Sequence, residues 1–167
     1  MNPRIPVFVC GEVHRSDDGA AFRAIRLLAP AVRAQAHVIP VGQLDASALV
    51  DLPPGLPCVV VDAVAGVPPG NVVAMPLAEV AELGRTRAAK LAKRKASTSH
   101  ELALEQTLAL AEILRGSPIK GWFVGIGIAD VKPGDTVSPA IVLGLPALSA
   151  RLAEVINELA QPELVKC

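Results

Sequence analysis

The stretch CVVVDAVAGVPPG, running from Cys58 to Gly70, decides the fold class. Cys58 to Val61 are apolar at every position, and the run stops at Asp62. A strand that is apolar on both faces suits a parallel sheet covered by helices on either side. The Pro-Pro-Gly at 68–70 predicts a turn. Upstream, Ile5 to Cys10 predict a first strand and Gly11 to Ser16 a loop. A helix is expected from about Asp17 to Arg33, with Phe22, Ile25, Leu28, Ala29 and Val32 at helical spacing. His37 to Val41 read as a short strand, and Asp45 as the cap of a brief helix over Ala46 to Val50. Downstream, Asn71 to Met75 predict a strand and Leu77 to Leu83 a short helix.

A helix from Ser99 to Arg115 follows, opened by a Thr98/Glu101 capping box and carrying Leu104, Leu108 and Ala111 on one face. Gly121 to Ile128 predict another buried strand. Ser138 and Pro139 read as N-cap and first turn of the last helical segment. Gly144 and Pro146 are expected to kink or restart it. Leu148, Leu152, Val155, Ile156 and Leu159 give it an apolar face. Strands alternating with helices imply an α/β fold. The expectation is one domain over residues 1–167, a three-layer α/β/α arrangement around a mainly parallel central sheet.

Composition narrows the function. The chain has 167 residues, 51% hydrophobic and 19% charged, enough for a core. Sixteen basic residues balance sixteen acidic ones, which argues against general nucleic-acid or membrane binding. The aromatics are Phe8, Phe22, Trp122 and Phe123, too few for a base-stacking platform. Cys10, Cys58 and Cys167 are far apart and form no CxxC pair, which suits a reducing cytosol. Apolar runs are cut by Asp62, prolines or glycines, so no bilayer span is expected. The basic stretch RTRAAKLAKRKAS, Arg85 to Ser97, contains no acid. It reads first as a solvated helix face or mobile loop, and second as a docking patch for an acidic partner.

In open α/β sheets ligands bind beyond the carboxyl ends of the strands. Glu12, His14, Asp17 and Asp18 follow the first strand, Asp62 the third, and Asp130 the last; His100 stands at a helix start. Asp18, Asp62 and His100 are the set best suited to a divalent transition metal such as nickel or zinc, with positions left open for water or substrate. Each has a plainer reading: Asp62 as a loop acceptor, His100 as an exposed helix residue. For Asp17 the first reading is a helix cap. His14 and His37 read as surface or partly buried residues, and Cys10 and Cys58 as core. There is no GxSxG, Walker A loop or HExxH.

Four segments resemble the hydrogenase maturation proteases, the endopeptidases that trim the C-terminus of the nickel–iron hydrogenase large subunit. They are FVCGEVHRSDDGAA, CVVVDAVAGVPPG, STSHELALEQTLALAEIL and FVGIGIADVKPGDTVSPAI, in the family's order. The family's Gly-Asn becomes Gly11-Glu12, its earlier Gly becomes Val9, and its Asp-Gly-Gly-Thr segment is represented by Val41 to Leu44, keeping only Gly42. The resemblance implies metal contacts at Asp18, Asp62 and His100, with Asp17 as a supporting residue behind them and no separate general base identified. It implies a cytoplasmic monomer acting on a hydrogenase large-subunit precursor. The metal would be nickel carried in by the substrate, with zinc or cadmium able to substitute. Two other readings stay open. One is a receiver-like phospho-acceptor using Asp17, Asp18, Asp62 and Lys132-Pro133. The other is a non-catalytic nickel-binding maturation chaperone.

Overall fold

A computed structural model describes residues 3–91 and 103–161. Its centre is a five-stranded sheet of β1 (Ile5–Cys10), β2 (Ala36–Gly42), β3 (Cys58–Val64), β4 (Val72–Pro76) and β5 (Gly121–Gly127), in the order β2-β1-β3-β5-β4. β1, β2, β3 and β5 are parallel, and β4 runs antiparallel against β5. The seven residues between β3 and β4 are too few for a parallel crossover, which needs a dozen or more. The helices are α1 (Ala20–Leu27), α2 (Pro30–Arg33), α3 (Ala46–Val50), α4 (Leu77–Leu91), α5 (Leu104–Arg115) and α6 (Pro139–Ala160).

Alternation along each strand sorts side chains between two cores. Val59 and Val61 of β3, with Val7 and Val9 of β1, pack under α1, α2 and α6. Val60 of β3 and Phe8 and Cys10 of β1 pack under α3, α4 and α5. The expected three layers are therefore present.

Several boundaries differ from the sequence reading. The helix expected over Asp17 to Arg33 is a 3-10 turn at Ser16–Gly19 followed by α1 and α2. Leu28 and Ala29 are extended between them, because a residue before proline is pushed out of helical geometry and Pro30 starts a new turn. Leu28 and Val32 stay buried, but Ala29 is exposed. The helix expected to end at Leu83 runs on to Leu91. Arg85 of α4 pairs with Glu82 and with Glu112 of α5, and Arg87 pairs with Glu105. That part of the basic stretch is thus tied down; Lys93, Arg94 and Lys95 lie outside the described residues. So do Thr98, Ser99, His100 and Glu101, and the described part of α5 begins at Leu104. There the Gln106 side chain accepts the Ala103 N–H.

α6 passes Gly144 and Pro146 without interruption. Its 22 residues, at a hydropathy of 1.5, make it the one helix among those described that is long and apolar enough to cross a membrane. Ile141, Leu148, Leu152, Val155 and Ile156 are nevertheless buried against the sheet. Asp45 caps α3 as expected, its carboxylate accepting the Ser47 N–H at 2.7 Å.

Candidate functional site

Strand order reverses direction between β1 and β3. The chain leaves β1 for β2 on one side and returns to place β3 on the other. At such a point the connections diverge and leave a crevice at the carboxyl ends of the strands. Asp18 enters it from the turn after β1, and Asp62 from β3. The two line one cleft of about 360 Å³, together with Gly11, Glu12, Arg15 and Leu104.

Asp62 lies within β3 rather than beyond it, paired with Gly125 of β5. Two residues from Val60 and two from Val64, it faces the α3–α5 side of the sheet. Its Oδ1 accepts the Ala63 N–H at 2.7 Å. Burial pushes its carboxyl up to about 7; the Ala63 N–H opposes the rise and the nearby Asp18 charge adds to it. Asp18 is held by the turn itself, its Oδ2 accepting the Glu12 N–H at 2.8 Å. Gly11 makes that turn possible. It sits at φ +92°, and a Cβ there would run into the Asp18 carbonyl.

Asp17 does not cap the helix. Its side chain is fully buried and reaches across to the loop between β5 and α6. There Oδ2 accepts the N–H groups of Ala129 and Asp130 at 3.0 Å each, and Oδ1 accepts that of Ser138 at 2.7 Å. Burial raises its pKa, but these three donors outweigh that and hold it below the usual carboxylate value. Ser138 does occupy the N-cap of α6, with its backbone donating to Asp17 and its hydroxyl making no capping bond. The same loop is pinned by Ser16 Oγ to the Thr136 carbonyl, by Gly134 N–H to the His14 carbonyl, and by Arg23 to the Asp135 carbonyl. Asp17 therefore fixes the segment that carries Asp18. Its partners lie 112 or more residues away, so sequence spacing carried no sign of them.

The remaining candidates fall elsewhere. His14 is exposed and pairs with Asp135 at 2.6 Å; His37 is exposed. Asp130 bonds the Lys132 N–H, and Lys132 is exposed with its ammonium 3.7 Å from Asp130. Cys10 and Cys58 are core residues as expected; burial raises both thiols, Cys58 to about 12, and the Asp62 charge adds to the rise at Cys10. His100 lies outside the described residues, and among those described no three His, Cys, Asp or Glu side chains cluster as a metal site. The structure thus brings Asp18 and Asp62 together.

No protein-family model and no curated relative matches the chain. Solved structures do. It superposes on the hydrogenase maturating endopeptidase HybD from E. coli with a TM-score of 0.66 and 17% identity, over 93% of each chain. The NiFe hydrogenase maturation protease HybD from Thermococcus kodakarensis aligns at 0.60 and 22% identity, over 95% of this chain and 99% of that one. A hydrogenase 2 maturation peptidase from Thaumarchaeota archaeon aligns at 0.57 and 22%, over 90% and 96%. Over at least 90% of its length, the chain has the fold of the hydrogenase maturation proteases.

Proposed function

We propose that the chain is an endopeptidase that removes a C-terminal peptide from a nickel-loaded hydrogenase large-subunit precursor, with Asp18, Asp62 and His100 contacting the nickel. The observation that carries this reading is the convergence of Asp18 and Asp62 in one cleft at the switch point of this fold. A carboxyl whose proton affinity is raised first by burial and further by a neighbouring carboxylate, as that of Asp62 is, is a site that a divalent cation relieves. His100 precedes Ala103 by three residues, and Ala103 lines a pocket beside Asp62. Imidazole and carboxylate together suit nickel or zinc, and cadmium would substitute.

The nickel arrives as part of the substrate and is read as the signal that the precursor is ready. Asp18, oriented by the Glu12 N–H, and Asp62, oriented by the Ala63 N–H, hold the nickel-bearing end of the precursor so that the following peptide bond lies over the cleft. Asp17 keeps the Asp18 turn in place from behind and stays ionised.

The test is incubation of the purified chain with precursor purified with and without nickel, followed by the intact mass of the large subunit. Trimming of the nickel-loaded form alone supports the reading. Trimming of neither form, with nickel-dependent binding retained, would make the chain a non-catalytic chaperone. The receiver-like reading is disfavoured by the sheet. Receiver-type sheets run 2-1-3-4-5 in parallel, whereas β5 here sits between β3 and an antiparallel β4, and Lys132 pairs with Asp130 in solvent.

A further inference from the structure

The outer face of α5 has the wrong polarity for water. The exposed residues of this helix are Leu110, Ile113 and Leu114, at 37%, 71% and 63%. Spaced three and four apart, they lie on one face. A helix face turned to solvent normally carries the charges. Those of α5 are used on neighbouring elements instead. Glu105 pairs with Arg87, Glu112 pairs with Arg85, and Arg115 donates to the carbonyls of Leu49, Leu52 and Pro53. Beside the aliphatic stripe, between α5 and α3, runs a groove of about 550 Å³. Leu110, Leu114 and Val50 supply its apolar lining and Asp45 and Asp51 its charge, and no Lys or Arg among the described residues lines it. Gln43 and Leu44 line both this groove and the Asp18–Asp62 cleft, so the two meet just beyond β2.

Resting on the protease reading, we propose that this face docks the body of the hydrogenase large-subunit precursor, through an apolar segment flanked by Lys or Arg. The groove opens into the cleft, so a precursor whose end reaches Asp18 and Asp62 comes within reach of α3 and α5. An aliphatic stripe beside two carboxylates calls for an apolar surface of opposite charge. A second copy of the chain does not supply one. Two-fold pairing on this face would set Asp45 and Asp51 against the same two acids. The stripe thus supplies affinity, and the aspartates reject acidic surfaces.

The experiment measures both binding and trimming of purified nickel-loaded precursor. It compares wild type with Ile113→Glu, Leu114→Glu and Asp51→Lys, and with Leu27→Glu as control. Leu27 is also exposed, but on α1 at the opposite side of the sheet. Each protein is first checked by thermal melting. Asp51 is exposed, so its substitution carries the test if an α5 variant unfolds. The α5 variants should weaken precursor binding about tenfold. KM should rise while kcat at saturating precursor holds, because docking is shared by ground state and transition state. Asp51→Lys should slow association and weaken its dependence on salt. Leu27→Glu should behave as wild type. Unchanged binding and KM in all three groove variants overturns the docking face, and continued trimming leaves the protease reading standing. Binding weakened by the groove variants, with no trimming even by wild type, keeps the docking face and removes the protease reading. A wild-type dimer that Leu114→Glu dissociates, with precursor binding unchanged, assigns the face to a second copy and overturns the proposal.

Discussion

Asp17 and Asp18 are adjacent in the chain, yet one is fully buried with three backbone donors and the other opens onto the cleft. Asp17→Asn turns an acceptor-only group into one with a donor facing N–H groups, in a fully buried site. A loss of about 2–4 kcal/mol is expected, read from denaturant unfolding. The Asp17 pKa is depressed on folding, so its contribution is present above the unfolded value of 3.8 and is lost as pH falls through the lower folded value. Asp62 carries the opposite sign. Its folded value near 7 lies above the unfolded 3.8, so the metal-free protein loses stability as pH rises from about 4 to about 7. The change should be on the order of 4 kcal/mol. Asp62→Asn should flatten that slope in a pH series of thermal melts. A slope unchanged by the substitution would show that another group titrates there.

At the scale of elements, α4 and α5 are held unusually close by Gly84, where a Cβ would meet the Glu105 carbonyl. Gly84→Ala should force the helices apart and cost about 1–3 kcal/mol despite the better helix propensity of Ala. An unchanged unfolding midpoint would contradict so close a crossing. Pro146, exposed inside α6, deprives the helix of one hydrogen bond. Pro146→Ala should therefore raise stability, by roughly 1–3 kcal/mol, in the same measurement. The strands were the legible elements, because continuous apolar runs such as Val59 to Val61 have few other uses. The break at Leu28 was signalled by Pro30, but the apolar spacing through Val32 concealed it. The true length of α4 was hidden, since the acids that neutralise Arg85 and Arg87 include Glu112 and Glu105 on another helix. The direction of β4 was open to inference from its short connection to β3.

The whole molecule is organised by its switch point. Sheet order β2-β1-β3-β5-β4 puts the carboxyl ends of β1 and β3 side by side, which is why Asp18 and Asp62, 44 positions apart, share one cleft. Strand ends made Asp18 and Asp62 legible as candidates, alongside Glu12, His14, Asp17 and Asp130. The buried duty of Asp17 was not legible, since it depends on which segments the sheet brings together. The most direct measurement sets wild type, Asp62→Asn and His100→Ala side by side on one nickel-loaded precursor, with the large subunit read by intact mass and each protein checked by thermal melting. Wild type should release the C-terminal peptide. Both variants should process it at least about 100-fold more slowly while His100→Ala keeps the wild-type melting temperature. Trimming by either variant at the wild-type rate would contradict a nickel-reading site built on these residues.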